Sequence, residues 1–319
     1  SSDVCSSDLR HVAHDDVDAA LLQGRDPVRG GEDDELDVRL RAEDGLADGT
    51  GEVDVEALEL AGTDSPNRLT GATHPAWANM VGPFGGMTAA TLVGAIASHP
   101  EALGDPLALT VNYCAPIAQG PFDLDVRLIK ANRSTQHWSV ELTQGSGEVA
   151  TFATAVFAER RPSWSHQQAK APNATPFERT LPFPDMAMSW VKQYDFRFVE
   201  GEPKLRSAPS NEPSSAYSKL WVSDRKPRTI DALSLMSMSD AFFGRVFHAR
   251  RELVPLGTVS LTTYFHVDAA DLAAEDITRV LAEVDATTFH KSYGDQRAEL
   301  WSPSGRLLAT TTQIAYFKA

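Results

Sequence analysis

The feature that most constrains the fold is a helix-length segment without a polar face. Residues 80–98 read MVGPFGGMTAATLVGAIAS, a loop rich in glycine followed by a run from Met87 that carries no charge. A helix that is apolar on all sides must be buried on all sides. Because the run is shorter than the roughly 20 residues that cross a bilayer, it predicts an enclosed helix of a folded domain and no membrane segment.

An internal repeat predicts two copies of one unit. VELTQGSGEVATFATAVF (140–157) and AELWSPSGRLLATTTQIAYF (298–317) share a Glu-Leu pair, three further residues and a Ser-Gly pair. Glycine between two β-rich runs is typical of a hairpin turn. Upstream of each hairpin lie another strand and an apolar segment of helical length, at 87–98 and 230–247. Each copy is therefore predicted to be a helix followed by four antiparallel strands.

The two copies together predict a fold. The expected strands span 107–117, 122–131, 135–143 and 149–159 in the first copy and 258–267, 277–287, 292–301 and 307–318 in the second, with further strand signals at 188–198 and 216–222. A curved antiparallel sheet wrapped around the helix encloses it, which is the hotdog arrangement. We predict the class α+β and a double hotdog, with an N-terminal hotdog at 68–160, a linker at 161–186 and a C-terminal hotdog at 187–319.

Residues 1–67 differ from the rest in composition. The first 60 residues hold 18 acidic residues, 5 arginines, no lysine and no aromatic residue. Such a segment can bury little apolar surface, which predicts disorder. Its opening, SSDVCSSDL, resembles translated sequencing-adapter text. We therefore interpret residues 1–67 as disordered or non-native and assign them no function.

Charge and cysteine usage exclude several classes of function. Beyond residue 60 the chain carries 26 acidic and 24 basic residues, and this near balance disfavours nucleic-acid binding. Cys5 and Cys114 are far apart and lack CxxC or histidine partners, which argues against a zinc site and fits a reducing compartment. Motifs of serine hydrolases, zinc proteases and nucleotide-binding loops are absent from the sequence. We expect a cytoplasmic protein with no cofactor, no metal and no signal peptide.

Five motifs, in their order and spacing, resemble the bacterial acyl-CoA thioesterase II family of double-hotdog enzymes. They are PFGGMTAA (83–90), NRSTQHW (132–138), SMSDAFF (237–243), TVSLTTYFH (258–266) and ATTTQIAYF (309–317). The resemblance covers about residues 68–319. It implies hydrolysis of fatty acyl-CoA to free fatty acid and CoA by direct attack of water. The sequence departs from the family at its N-terminal end, where the first strand of the first hotdog is absent or scrambled.

The resemblance also implies three catalytic residues. In the family an Asp, a Thr and a Gln of the second hotdog hold the attacking water, and they match Asp240, Thr258 and Gln313. Asp240 lies in apolar sequence, where a carboxylate is costly to ionise and suits a general base, although SMSD is also good text for a helix N-cap. Gln313 can donate and accept around a water or be an exposed strand residue. Thr258 is the third partner of the water or an ordinary β-former.

The first copy lacks these polar residues. The repeat places Gly85 or Gly86 at the position of Asp240 and Thr154 at that of Gln313. One active site per chain is therefore predicted.

Phe84, Gly85, Gly86 and Met87 are predicted to bind the substrate. The GPFGG loop brings backbone N–H groups to a helix N-terminus, which favours the negative charge of a tetrahedral oxyanion. The alternative is that these glycines only permit a tight turn and close packing.

Two other functions stay open. A hotdog dehydratase or hydratase uses an Asp with a His, and the nearest histidine in sequence to Asp240 is His248. A non-catalytic module that binds acyl-CoA or another acyl thioester is the second alternative. Because the sheet edges of hotdogs usually pair, a homodimer is expected, and fatty acid metabolism is the expected context.

Overall fold

The first repeat forms a strand pair, a buried helix and a four-stranded antiparallel unit. In this computed structural model, residues 60–145, 147–205 and 213–318 are described. The elements of the first repeat are β1 (Ala61–Gly62), β2 (Arg68–Ala72), α1 (Gly85–Ala97), β3 (Asp105–Tyr113), β4 (Pro121–Ala131), β5 (Thr135–Gln144) and β6 (Glu148–Ala158).

The second repeat has the same plan with a more divided helical part. Its elements are β7 (Tyr194–Glu200), β8 (Ser218–Asp224), α2 (Ala232–Met238), α3 (Arg245–Arg250), β9 (Leu256–Phe265), α4 (Ala269–Glu275), β10 (Arg279–Asp285), β11 (Phe289–His290), β12 (Tyr293–Trp301) and β13 (Leu307–Phe317). Short 3-10 helices precede α1 at Pro75–Trp77 and precede β7 at Phe177–Arg179 and Ser189–Gln193.

One continuous sheet joins the two repeats. Among the described residues its order is β1-β2-β4-β5-β6-β3-β9-β13-β12-β10-β8-β7, and β11 pairs with β12. The repeats meet where β3 pairs antiparallel with β9. At the centre of this pairing Thr110 lies opposite Thr262, and their hydroxyls are 3.0 Å apart. A pseudo-two-fold axis passes through this junction and relates the two repeats, so that β3, β6 and β5 correspond to β9, β13 and β12.

Helices α1, α2 and α3 are largely buried against the sheet, as predicted for a double hotdog, whereas α4 buries only Leu272. Nine of the thirteen residues of α1 are buried, and α1 packs against α2. Small residues on α1 let the helix approach its neighbours closely: an added Cβ on Gly86 would meet the backbone carbonyl of Ser237 in α2. An enclosed helix needs no polar face, which explains why this run carries no charge.

The predicted second helix is divided. Where the sequence predicts one helix over 230–247, the structure has α2, a turn and α3. Asp231 is the N-cap of α2 in a capping box with Ser234, and Gly244 is the N-cap of α3. Asp240 lies in the turn between the helices. The N-cap interpretation of Asp240 is therefore wrong, because the capping position belongs to Asp231.

A short strand precedes α1, where the sequence analysis expects the first strand to be missing or scrambled. β2 pairs with β4 over five residues, and β1 pairs with β2. An added Cβ on Gly71 in β2 would lie 2.7 Å from the ring of Phe122, so a side chain there would require this ring to move. Residues 60–67 of the segment interpreted as disordered or non-native are ordered here, since β1 pairs with β2; residues 1–59 lie outside the described residues.

The segment predicted as a linker packs against the outer face of the second repeat. The Trp221 indole donates to the Thr175 carbonyl at 2.8 Å. The Arg197 guanidinium lies 3.8 Å from the ring centre of Phe177 and donates to the carbonyl of Thr180. This segment therefore covers the apolar residues Trp221, Leu281 and Trp301, which form a second, smaller core. No helix among the described residues is long and apolar enough to cross a membrane.

Candidate active site

The turn between α2 and α3 places a carboxylate in the protein interior. Asp240 is only 8% exposed. The last turn of α2 closes on Ser239, whose N–H donates to the carbonyls of Leu235 and Met236. The chain then bends, with the Phe242 N–H donating to the Asp240 carbonyl at 2.8 Å. The bend directs the Asp240 side chain toward the sheet instead of along the helix.

A hydrogen-bonded relay joins this carboxylate to the two other predicted catalytic residues. The Thr258 hydroxyl donates to Gln313 Oε1 at 2.8 Å. Gln313 Nε2 donates to Asp240 Oδ1 at 3.2 Å. Because the hydroxyl occupies the amide oxygen, the amide nitrogen is held toward the carboxylate. The structure therefore brings Asp240, Thr258 and Gln313 together.

A β-bulge orients Thr258 toward this site. Ile314 pairs with Ser260, but the next residue of β13, Ala315, pairs with Thr258. Val259 is therefore an extra residue, and it is exposed. If β9 alternated regularly, with no bulge at Val259, Thr258 would face the outer side of the sheet, as Ser260 and Thr262 do. Bulges commonly re-aim side chains beside active sites, and simple alternation along the sequence cannot reveal this one.

The N-terminus of α1 contacts the same carboxylate from the first repeat. The backbone N–H of Gly86 forms a hydrogen bond with Asp240. An added Cβ on Gly85 would lie 2.8 Å from Asp240 Oδ2. The Tyr113 hydroxyl donates to the Gly85 carbonyl at 2.7 Å. Tyr113 was missed by the sequence analysis; its only signal is its place at the end of a repeated strand. The site is thus assembled from both repeats.

Burial controls the protonation of the site. Desolvation raises the pKa of Asp240 from 3.8 to about 7, and the hydrogen bonds from Gln313 and Gly86 oppose this rise. Desolvation, followed by the nearby Asp240 charge, raises the pKa of Tyr113 well above its usual value. A carboxyl group that titrates near neutrality can accept a proton in a reaction and release it afterwards.

Asp240, Thr258 and Gln313 line a cleft whose other walls are mostly apolar. The cleft contains about 680 Å³ of empty space, part of it open to solvent. Its aromatic walls are formed by Phe84, Trp190, Phe242, Phe243, Phe247, Phe289 and Phe317. The rings of Phe84 and Trp190 stack with centroids 4.4 Å apart, so a residue of the first repeat and one preceding β7 form one wall together.

The structure separates the predicted substrate-binding residues. Phe84 lines the cleft. Gly85 and Gly86 pack against Asp240 and the α2 backbone. Met87 instead lines a second, smaller cavity on the other side of α1, next to Trp77. The reason is helical geometry, since each residue is turned by about 100° from the one before it. No role in the cleft is therefore proposed for Met87.

The register of the sheet identifies which residues of the first repeat correspond to Gln313 and Thr258. Glu141 pairs with Phe152 as Glu299 pairs with Thr310. Counting along the strands, Ala155 takes the place of Gln313. The expected counterpart, Thr154, is wrong by one residue and is exposed on the outer face. The bulge also recurs, with Pro106 in the place of Thr258. The described part of the first repeat therefore offers no polar counterpart of this pair.

A buried cation fixes the segment that follows Asp240. Arg245 is 3% exposed and donates twice to the carbonyl of Phe243, and also to Ser218 Oγ and the carbonyl of Ala216. Burial lowers the pKa of Arg245 to about 9. Burial and this cation lower the pKa of His248 to about 3. His248 does not line the cleft. No group of His, Cys, Asp and Glu in the described ranges is arranged to hold a metal ion.

Comparison with known proteins agrees with this architecture. The family model described as acyl-CoA thioesterase N-terminal domain matches residues 73–158, and the acyl-CoA thioesterase C-terminal domain model matches residues 161–317. A hot dog fold protein of unknown function from Alicyclobacillus acidocaldarius is 39% identical, with a TM-score of 0.77 over 83% of this chain and 97% of that chain.

Two further solved structures share the fold at lower identity. The acyl-CoA thioesterase II TesB2 of Mycobacterium marinum is 19% identical, with a TM-score of 0.64 over 83% of this chain and 98% of that chain. The tesB protein of Mycobacterium avium subs paratuberculosis is 18% identical, with a TM-score of 0.65 over the same shares of the two chains. Among curated proteins, none matches this sequence.

The fold and the paired family models define the class: a double-hotdog protein of the thioesterase type. The chain belongs to the acyl-CoA thioesterase family, with an N-terminal and a C-terminal domain of that family in tandem.

Proposed function

We propose that the protein is an acyl-CoA thioesterase that hydrolyses fatty acyl-CoA to free fatty acid and CoA by direct attack of water. The observation that carries this proposal is the buried Asp240 carboxylate, held by Gln313 and Gly86 at the wall of an apolar cleft. An apolar cleft with a few convergent polar groups is the usual form of a site for an acyl substrate.

Asp240 acts as the general base. Water bound beside the carboxylate adds its oxygen to the thioester carbonyl carbon and gives its proton to Asp240. The C–S bond then breaks, and CoA leaves as a thiolate that takes up a proton. Gln313, fixed by Thr258, orients the carboxylate and the water. Neither a nucleophilic side chain nor a metal is required by this sequence of steps.

The N-terminus of α1 supplies electrostatic stabilisation. Its partial positive charge lies at the carboxylate, where the thioester carbonyl must also lie for water to reach it. Negative charge that develops on the carbonyl oxygen is therefore stabilised by the first turn of the helix. The glycine loop then has both of the roles considered in the sequence analysis. Its backbone N–H groups stabilise negative charge, and Gly86 also allows the helix to pack closely against α2.

The absence of histidine from the described lining of the cleft supports hydrolysis over dehydration. His248, the nearest candidate in sequence, is buried beside Arg245 and Ser218. The pairing of Asp with His that a hotdog dehydratase requires is therefore not present in the described walls of this cleft.

The proposed function is tested by product analysis. We expect equal amounts of CoA thiol and free acid from saturated acyl-CoAs, and no hydration of 2-enoyl-CoA. Thr258→Val should lower the rate about fivefold, because a lost hydrogen bond of this kind is worth about 1 kcal/mol. Thr312→Val is the matched control, because Thr312 is exposed on the outer face of β13. Calorimetric binding of acyl-CoA without thiol release would favour a binding module, and water addition to the enoyl group would favour a hydratase.

The pH dependence of the reaction should follow Asp240. Because only the ionised carboxylate accepts the proton, kcat/KM is expected to rise with pH, to be half-maximal near the pKa of about 7, and to level off above it. Gln313→Met removes a hydrogen bond that favours the charged form, so its profile should move to higher pH. Rates measured from pH 5 to 9 test both statements. A profile that is flat across this range would contradict the assignment of the base.

A homodimer, a cytoplasmic location and a place in fatty acid metabolism remain predictions from the sequence. Sedimentation of the purified chain tests the first of these.

A further inference from the structure

One peptide group at the N-terminus of α1 is held from both sides. The Tyr113 hydroxyl donates to the Gly85 carbonyl at 2.7 Å. The N–H of the next residue, Gly86, forms a hydrogen bond with Asp240. This carbonyl and this N–H belong to the same planar peptide group, so a rotation of the group would disturb both hydrogen bonds. The Tyr113 hydroxyl is thus connected to the carboxylate through a single peptide group.

The orientation of this peptide group depends on such a partner, because glycine flanks it on both sides. Glycine has more backbone freedom than any other residue. The N-cap residue of α1, Phe84, makes no side-chain capping bond that would fix the first turn. An added Cβ on Gly85 would lie 2.8 Å from Asp240 Oδ2 and 3.2 Å from the Tyr113 hydroxyl. A side chain at this position would therefore push these groups away, and the hydroxyl supplies the constraint instead.

The second repeat shows that the fold does not require a hydroxyl at the position of Tyr113. Thr110 lies opposite Thr262 at the junction of the repeats. Counting three residues further along each strand relates Tyr113 to Phe265. Phe265 is 2% exposed, so a ring without a hydroxyl packs well at this place in the sheet. The hydroxyl is therefore present in the repeat whose helix contacts Asp240 and absent from the other.

Tyr113 acts on the site without lining it. It is not among the described residues that line the cleft, and its hydroxyl is directed to the Gly85 carbonyl. Desolvation, followed by the Asp240 charge, raises the pKa of Tyr113 well above its usual value. The hydroxyl therefore keeps its proton at neutral pH and remains a donor. Its effect on the reaction must pass through the peptide group.

Few other titratable groups surround Asp240. Helices α1 and α2 and strands β9 and β13 carry no charged residue. Tyr194 is a second buried phenol, and desolvation raises its pKa. The charged or titratable side chains that the neighbouring elements place at or beside the cleft are Arg245 and His248 of α3 and Asp295 of β12. Removing the Tyr113 hydroxyl leaves all of these groups in place.

We propose that Tyr113 is a positioning residue for hydrolysis, whose hydroxyl holds the Gly85–Gly86 peptide group so that the Gly86 N–H faces Asp240. This inference rests on the proposed thioesterase function. A hydrogen bond accepted by a peptide carbonyl also polarises the N–H of the same group, which strengthens the bond from that N–H to the carboxylate. The ionised form of Asp240 is thereby favoured, and the general base stays available at neutral pH.

Tyr113→Phe tests this role in the full chain, because Phe265 shows that a phenyl ring fits the corresponding place. We expect kcat/KM for thiol release, measured on its plateau at high pH, to fall about fivefold. The pH at which kcat/KM is half-maximal should rise by about half a unit. The reason is that a weakened bond from Gly86 favours the charged form of Asp240 less.

Thr151→Val is the matched control. Thr151 lies opposite Tyr113 in β6, is 0% exposed, and its hydroxyl has no hydrogen-bond partner among the described residues. The control removes a buried hydroxyl from the same strand pair without touching the peptide group. The plateau rate and the half-maximal pH should therefore both stay at their wild-type values.

A second measurement needs no substrate. The NMR signal of the Asp240 carboxyl carbon, identified by its loss in Asp240→Asn, reports the pKa of this group directly. We expect this pKa to be higher in Tyr113→Phe than in the wild type and unchanged in Thr151→Val.

The outcomes separate this role from a structural one. An unchanged pKa of Asp240 in Tyr113→Phe overturns the proposal, as does an equal fall in rate at every pH. The same rise of the pKa in Thr151→Val also overturns it, because any lost hydroxyl would then have the effect. If the wild type releases no thiol, the proposed function fails separately. The carboxyl titration then decides alone, and a raised pKa confined to Tyr113→Phe supports the positioning role.

Discussion

Replacing Asp240 by asparagine is expected to lower kcat for thioester hydrolysis by about a thousandfold, within the range for loss of a general base. KM should change little, because the amide has nearly the same shape and the apolar cleft is intact. Steady-state thiol release measures both constants. An Asp240→Asn variant that keeps more than a tenth of the wild-type kcat would contradict the role of this carboxylate as the base.

The same substitution should stabilise the fold, in the direction opposite to its effect on activity. The folded-state pKa of about 7 lies above the ordinary 3.8, so the folded state binds the proton more tightly than the unfolded state. Wild-type stability therefore falls as pH rises from about 4 to 7, and the full cost is present above 7. The difference between these two pKa values corresponds to at most about 4 kcal/mol of stability.

Denaturation of Asp240→Asn and the wild type at pH 5 and pH 8 tests this linkage. We expect the variant to be more stable by about 2 kcal/mol at pH 8, less than the limit because an amide has one acceptor oxygen in place of two. The advantage should shrink at pH 5. A variant that loses stability equally at both pH values would show that Asp240 is a structural residue.

Gly86→Ala is the second change with a large expected effect. An added Cβ would overlap the Ser237 carbonyl and approach the Phe84 ring to 2.6 Å. A backbone carbonyl cannot move aside cheaply, so α1 must shift away from α2 and carry the Gly86 N–H away from Asp240. We expect a loss of about 2–3 kcal/mol in the free energy of unfolding and a fall in kcat of about a hundredfold.

Gly94→Ala is the matched control on the same helix. Its added Cβ would lie 3.8 Å from Leu233, which is an ordinary contact. Alanine in a helix interior is favoured over glycine by up to about 1 kcal/mol, so this variant should be slightly more stable and fully active. Urea denaturation and thiol release of both variants provide the comparison. Equal behaviour of the two would mean that close approach at Gly86 is unimportant.

Local patterns in the sequence were sufficient to predict most of the helices and strands. The charge-free run predicts a helix at 87–98, and α1 spans Gly85–Ala97. The repeated Ser-Gly hairpins predict β5–β6 and β12–β13, which the structure contains. The prediction is wrong where one apolar segment had to be divided. The segment 230–247 is apolar enough for one helix, but the chain bends at Asp240, where the Phe242 N–H donates to the Asp240 carbonyl.

The candidate site, like the fold, could be predicted only in part from the sequence. Residue type and family resemblance select Asp240, Thr258 and Gln313 from the sequence. Their contact depends on the β-bulge at Val259 in β9, which places the Thr258 side chain on the inner face of the sheet. Alternation along one strand cannot detect such a bulge, because it is defined by the partner strand. Tyr113 was missed for a related reason, since little in its local sequence distinguishes it from an ordinary strand residue.

The sequence by itself determined that two similar units each enclose an apolar helix in an antiparallel sheet, because hydrophobic periodicity and turn residues act locally. It also determined which side chains are chemically capable of activating water. The tertiary structure alone decided that a glycine N–H of the first repeat meets the carboxylate of the second, and that burial brings the pKa of this carboxylate near neutrality. Both depend on groups distant in the chain, whose approach is set by strand register and helix packing.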